Sequence, residues 1–468
     1  MLIGGRWVQG ENYFKVRNPY TNSVIARVPE ASPDAVKSAV AAARKAFDAN
    51  RKLPAYRRSE ILERASGLIA MDKEDFARTI SLESGKTIKA SRKEVERAVL
   101  TFKIAAEEAK RIAGEIISMD AAPGSERHFG FYIREPVGVV AALTPFNFPL
   151  NLVAHKVAPA IAAGNAVVLK PASAAPLSAL RLGRTMEEAG LPAGLLNIVT
   201  GKGSTVGEAL VSGEVDMVTF TGSPEAGRRI KQLAGMAKVT LELGSNSATV
   251  IDESANLEMA VPRCITGAFS FSGQVCISIQ RLYIHRNIFD KFVSKFIPQV
   301  EQLRIGDPLS EDTDIGPMIS EDAAQRAQAW IQEAESDGAK VLTGGRRDGR
   351  ILAPTVLANL KPDMKIMCLE AFAPVVSVIE FGEFEEAIEM VNNSIYGLQA
   401  GVYTQNIANA FLAIKKLNVG GVMINEIPTF RAENMPYGGV KESGIGREGV
   451  RFAVEEMTNI KMVSFNLL

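Results

Sequence analysis

Two doubly wound α/β domains carrying a small β extension are what this sequence of 468 residues predicts, on three observations. First, five short apolar runs, VGVVAAL, NAVVLKP, LLNIVT, MVTFTGS and KVTLEL, give way to Gly, Pro, Ser or Thr, as buried parallel strands do. Second, helical segments at 151–163, 176–190, 203–212 and 224–235 intervene, so strand alternates with helix over roughly 137–245. Third, a second alternation begins at ATVIDESA. It runs through helices near 256–273, 287–303 and 321–338, with strands RLYIH, APVVSVIEF and GGVMIN.

The remaining elements follow from periodicity and turn chemistry. Apolar residues at helical spacing over 33–50, 57–80 and 89–112 make the first hundred residues mostly helical. Between them and the first sheet, IISMDAAPGSERHFGFYIREPVG places a polar turn between two extended stretches, a hairpin standing off the domain. The C-terminal NIKMVSFNLL is another strand. Such isolated strands have unpaired edges, which a second subunit would cover, so a homodimer or homotetramer is expected. The expected boundaries are 1–115 with 137–245 for the first domain, 246–445 for the second, and 116–136 with 450–468 for oligomerisation strands.

Composition excludes several classes of function. Lys+Arg 53 balance Asp+Glu 53, against the basic excess of a nucleic-acid-binding protein. No apolar run reaches the roughly 18–20 residues of a membrane span, and MLIGGRWVQGENYF lacks a charged start followed by an apolar stretch, so a cytoplasmic location is expected. Three cysteines, Cys264, Cys276 and Cys368, cannot make a disulfide framework. The three histidines stand at no metal-ligand spacing with them, so no metal is expected.

Chemistry concentrates in three segments. In FSFSGQVCIS, Cys276 follows Gly273 and Gln274 at the close of a predicted helix. In LELGSNS, Glu242 ends a strand between Leu241 and Leu243, where desolvation raises a carboxyl pKa and makes a general base. In LTPFNFPLN, Asn147 follows the first sheet strand, where α/β folds bind ligands; its amide suits a developing oxyanion, although an Asn there equally caps a helix.

Together with LKPAS, FTGS, LEAFAPV and MPYGGVKESGIGREG, these segments resemble the aldehyde dehydrogenase family over about residues 15–460, closest to its lactaldehyde dehydrogenase-like branch. The resemblance implies that Cys276 attacks the aldehyde while Asn147 and the Cys276 backbone N–H hold the oxyanion. Hydride then leaves for the nicotinamide of NADP or NAD, Glu242 activates the water that hydrolyses the thioester, and Lys156 supports the transfer geometry. It further implies that Lys170 and Ser173 meet the adenosine ribose, Gly222 and Ser223 the pyrophosphate, and Glu370 with Phe372 the nicotinamide ribose and ring. The backbone of Phe146 and Leu243 completes that site.

The thiol of this chemistry needs a lowered pKa, for which the helix environment and the cofactor's positive charge are the expected sources. No GxGxxG follows a predicted strand; GKGSTVG and GSPEAG are the nearest glycine-rich turns. Where many NAD-specific relatives carry Glu, this chain has Ser173, which admits the 2′-phosphate of NADP. His155 and Arg431, the latter expected at the tunnel mouth, point to a small polar or anionic aldehyde. Two other functions compete: a CoA-acylating semialdehyde dehydrogenase, which commonly lacks the Glu242 base, and a catalytically silent binding protein, which would not keep Cys276, Glu242 and Asn147 together.

Overall fold

The computed structural model describes residues 1–467. Its first sheet runs, edge to edge, Arg6–Trp7, Leu2–Ile3, Leu196–Ile198, Ala166–Lys170, Val139–Leu143, Met217–Thr221, Lys238–Glu242 and Gly444–Ile445. The five strands between Leu196 and Glu242 are mutually parallel and stand in the chain order third, second, first, fourth, fifth. The order reverses between Val139–Leu143 and Met217–Thr221, and the crevice beyond the carboxyl ends of strands at such a reversal is where doubly wound sheets take ligands. Every residue of Ala166–Lys170, Val139–Leu143 and Met217–Thr221 is buried, which is why these segments read as continuous apolar runs.

The second sheet has the order Lys340–Thr343, Thr355–Ala358, Val375–Phe381, Arg281–His285, Ala248–Ile251, Gln399–Tyr403, Gly421–Ile424, parallel except for its first pair. It packs its own cores, centred on Phe292 and Phe296 on one face and on Phe384, Ile388 and Tyr283 on the other.

The first hundred residues are mostly helical from Pro33 onward; before it, Asn12–Arg17 and Val24–Glu30 form a hairpin, and Leu2–Ile3 with Arg6–Trp7 extend the first sheet. Three expectations need correction. The 57–80 stretch is two helices, Ala55–Met71 and Lys73–Ser84, broken at Asp72 (φ −92°, ψ 18°), because the apolar period continues while the axis turns. The extension strands are not isolated, since Thr458–Asn466 pairs with His128–Pro136 over nine residues and Glu115–Ile117 pairs on the other side. Finally, the chain returns to the first domain before residue 450: Gly444–Ile445 joins the first sheet, and helix Val450–Glu456 buries Val450 and Val454 in the first core.

Candidate active site

Cys276 is presented by a strained loop rather than by a helix end. Helix Leu257–Phe269 stops, and Phe271 (φ 48°), Ser272 (φ 54°) and Gly273 (φ 68°) follow in left-handed conformation. Two consecutive non-glycine residues there cost roughly 1–2 kcal/mol each. A Cβ on Gly273 would lie 2.0 Å from the Ala373 carbonyl oxygen, so only glycine fits. Hydrogen bonds hold the loop against this strain: Ser272 Oγ donates to the Gly316 carbonyl (2.8 Å), and Gln274 Oε1 accepts from the Ile319 N–H (2.9 Å). Asn147 Nδ2 donates to the Gln274 carbonyl at 3.0 Å, placing its amide two residues from the cysteine with its second N–H uncommitted.

The sulfur faces a cavity of about 270 Å³ lined by Phe148, Phe271, Ile277 and Tyr437 among others. Five cations, Lys86, Lys93, Arg97, Arg263 and Arg431, line it against one carboxylate, Glu94. Glu94 is itself committed: it pairs with Lys86 and accepts the Leu150 and Asn151 N–H groups (2.9 and 3.1 Å), fixing the N-terminus of helix Asn151–Ala163. Burial pushes the Cys276 thiol up to about 11, only partly opposed by its hydrogen bond with the Tyr437 hydroxyl (Sγ···O 3.0 Å). A loop, not a helix end, surrounds the sulfur, so the helix environment expected from sequence does not lower the thiol, and the cofactor's positive charge is the remaining expected source.

Glu242 ends the strand Lys238–Glu242 with both carboxyl oxygens buried and without a partner among the described residues. Burial first, and repulsion from Glu448 second, hold its pKa well above the carboxylate range, against the pull of Arg431 and Lys156. Gly438 closes over it, since a Cβ there would come 2.9 Å from Glu242 Oε1. Lys156 is fully buried and donates to Glu448 Oε1 (2.7 Å) and Thr219 Oγ1 (3.0 Å). Glu448 also takes Arg431 (3.2 Å); burial raises its carboxyl, yet Lys156 and Arg431 outweigh that and hold it low.

The two substrate candidates part company. Arg431 lines the cavity, but as a buried group stacked 3.8 Å from the Tyr437 ring centroid, not at a tunnel mouth. His155 does not line it: the imidazole is fully buried against Glu433, which Arg97 also pairs. In place of the expected substrate contact, the structure gives the His155 imidazole a buried carboxylate partner on a helix that is buried on all sides.

Across the site, a cleft of about 340 Å³ opens at the carboxyl ends of the first-sheet strands, lined by Thr144, Lys170, Gly203, Phe220, Ser223 and Arg229 among others. Both glycine-rich turns contribute to it. Lys170 Nζ and Ser173 Oγ donate to the same Gly201 carbonyl (3.2 and 2.6 Å), and burial lowers Lys170 to about 8. Gly222 has no room for a Cβ, which would lie 2.3 Å from the Phe220 ring, and Ser223 caps helix Pro224–Leu233 by accepting the Ala226 N–H (3.2 Å). The open N–H groups of that helix start suit a phosphate.

Leu243 N–H is taken by the Ser443 carbonyl (2.9 Å), and Phe146 meets Phe372 edge-on at 6.0 Å. Glu370, pushed up to about 7 by burial, accepts one donor, the Ser245 N–H (2.9 Å). A buried ammonium with one acceptor and a buried carboxyl with one donor are unfilled valences that ribose hydroxyls fit.

Sequence reasoning missed Tyr437, Glu448, Arg97, Glu433 and Arg229. Tyr437 and Glu448 stand inside the quoted MPYGGVKESGIGREG, where their hydroxyl and carboxylate were the available signal. Arg97 lies in an ordinary amphipathic helix and has none.

A doubly wound sheet that opens its switch point beside a cysteine of the neighbouring domain is the architecture of a dinucleotide-dependent dehydrogenase. The chain belongs to the aldehyde dehydrogenase family, whose model matches residues 7–463, and is an oxidoreductase acting on aldehydes. It is 46% identical to a 3-sulfolactaldehyde dehydrogenase of Priestia aryabhattai, over all of this chain and 98% of the relative. Among solved structures it resembles aldehyde dehydrogenase 21 of Physcomitrella patens in complex with the reaction product succinate (TM-score 0.98, 40% identity, 100% and 98% coverage). It also resembles the glyceraldehyde-3-phosphate dehydrogenase GapN of Methanocaldococcus jannaschii complexed with NADP (TM-score 0.94, 40% identity, 97% and 100% coverage). No helix among the described residues is long and apolar enough to cross a membrane.

Proposed function

We propose that this protein oxidises a short anionic aldehyde to its carboxylate, with NADP or NAD as hydride acceptor, through a thiohemiacetal and a thioester on Cys276. The cation-rich cavity facing that sulfur carries the reading. Lys86, Arg97, Arg263 and Arg431 are held by Glu94, Glu433, Glu426 and Glu448, which leaves Lys93 as the cavity cation without a carboxylate partner among the described residues; the excess of cations in the lining favours a carboxylate, sulfonate or phosphate tail over an alkyl one. The three relatives fit this chemistry, since their names or bound product carry a sulfonate, a carboxylate and a phosphate.

Bound NAD(P)⁺ supplies the hydride acceptor and a positive charge beside the sulfur. With the resting thiol near 11, its proton must leave as the C–S bond forms, and Glu242 in its ionised form is the base placed to take it. The free N–H of Asn147 and the Cys276 backbone N–H hold the oxyanion of the resulting adduct. Collapse of that adduct breaks the C–H bond, expels hydride and leaves the thioester. Glu242, its first proton released to solvent, then deprotonates the attacking water, and cleavage of the C–S bond, with that proton returned to the sulfur, gives carboxylate and thiol. Aldehyde, oxidised cofactor and water thus become acid, reduced cofactor and a proton.

Lys156 acts one layer below, neutralising Glu448 beneath Glu242. Lys170, Ser173, Gly222, Ser223, Leu243, Glu370, Phe146 and Phe372 hold the cofactor, and Ser173 leaves space for a 2′-phosphate that a carboxylate would repel. A CoA-acylating reaction is disfavoured by Glu242, which would hydrolyse the waiting thioester. Exposed Ile116, Phe129, Ile133, Ile460 and Phe465 on the extension support assembly as a homodimer or homotetramer. Three free cysteines fit a cytoplasmic location.

The test is a panel of sulfolactaldehyde, succinic semialdehyde, glyceraldehyde 3-phosphate, lactaldehyde, hexanal and benzaldehyde, each with NADP and NAD, followed by absorbance of the reduced cofactor. An anionic aldehyde should give the highest kcat/KM. Hexanal or benzaldehyde ahead of every anionic member would overturn the proposal.

A further inference from the structure

We propose that Tyr437 is a catalytic residue of this site: its hydroxyl donates a hydrogen bond to the Cys276 sulfur and holds it ready for attack. The proposal rests on the reading of Cys276 as nucleophile. The Tyr437 hydroxyl stands 3.0 Å from Sγ and has no other hydrogen-bond partner among the described residues. The tyrosine is 3% exposed, although its side chain lines the cavity. Its ring is clamped by the Arg431 guanidinium, 3.8 Å from the centroid, and Arg431 is tied in turn to Glu448. These contacts fix where the hydroxyl points without using it.

The chemistry of the pair decides the direction of the bond. While the sulfur carries its proton, either group can donate. Once that proton leaves, only the phenol has one, and a thiolate is the stronger acceptor. Burial raises the Tyr437 phenol well above its ordinary range, so it remains a donor at every working pH. The charged groups that face the sulfur are Glu370, from the segment before Val375–Phe381, Glu242 from its strand end and Arg431 from the loop that carries Tyr437. Lys86 and Arg97, from the N-terminal helical region, line the same cavity. The two carboxylates oppose a thiolate, and Tyr437 is the neutral donor in contact with it.

The test follows alkylation of Cys276 by iodoacetamide against pH, read by mass spectrometry on the full-length protein, alongside turnover and the KM for NADP. Tyr437→Phe keeps the ring and its clamp and removes only the hydroxyl. The expected result is an alkylation midpoint one to two pH units higher, hence roughly 10–100-fold slower alkylation at fixed pH, with a lower kcat and an unchanged KM for NADP. A fluorotyrosine in place of Tyr437, a stronger donor of nearly the same shape, should move the midpoint down, and it serves where the Phe variant folds poorly. Midpoints unmoved in both variants would overturn the role of Tyr437 while leaving Cys276 as nucleophile. Parent protein that keeps full turnover after alkylation at Cys276 would overturn the nucleophile itself and the proposal with it.

Discussion

Replacing Glu370 by Gln should stabilise the cofactor-free protein at pH 8 and leave it little changed at pH 5. The residue is half-buried with one donor to its carboxyl, and burial raises that carboxyl from 4.5 to about 7. A shift of that size corresponds to about 3 kcal/mol, at 1.36 kcal/mol per pH unit. Because the folded value lies above the unfolded one, the contribution is fully present below about pH 4.5 and is lost as pH rises through about 7. Gln carries no charge at any pH and escapes the loss. With unfolding entropy near 2.1 cal/mol/K per residue, 1 kcal/mol is worth about 1 °C in a chain of this length, so the variant's Tm should lead by ~3 °C at pH 8. Melts of parent and variant at pH 5, 6, 7 and 8 by circular dichroism read this directly. A constant offset from lost or altered hydrogen bonds does not matter; a Tm gap that stays flat or closes toward pH 8 refutes the argument.

Further outcomes follow from the same geometry. Glu242→Gln should abolish both the stoichiometric burst of reduced cofactor and the steady-state rate in stopped-flow absorbance, since the base that takes the thiol proton is gone; a full burst with little steady-state rate would confine Glu242 to hydrolysis. Ser173→Glu should lower kcat/KM with NADP by at least tenfold while sparing NAD, since a carboxylate would face the 2′-phosphate; equal effects on both cofactors would argue against that placement. Arg431→Ala should raise the KM for an anionic aldehyde roughly 10–150-fold, the worth of a hydrogen bond to a charge, and should also lower kcat because Tyr437 loses its clamp. An unchanged KM in steady-state assays would remove Arg431 from substrate binding.

The two sheets were legible in the chain because a buried strand is a local pattern: five residues such as AVVLK have no polar face to show. Cys276, Glu242 and Asn147 stood out for a similar reason, each inside a short segment whose neighbours must be what they are. Gly273, three residues before Cys276, meets the Ala373 carbonyl, and Gly244, two after Glu242, meets the Glu370 carboxyl. What short-range pattern does not encode is which side of an all-buried helix faces a cavity. His155 and Lys156 are adjacent on Asn151–Ala163, yet one turns to Glu433 and the other to Glu448.

By itself, then, the sequence determined the alternation of strand and helix, the cysteine-centred motifs and the serine at 173. Tertiary structure alone decided the electrostatics. Tyr437 reaches Cys276 across 161 residues of chain, Glu433 reaches His155 across 278 and Arg97 across 336. Periodicity belongs to a segment, but a pKa belongs to every charge and every buried surface within a few ångströms. That is why burial raises a thiol whose helix environment was expected to lower it, and why an arginine expected at the tunnel mouth lies buried against the tyrosine that touches the sulfur.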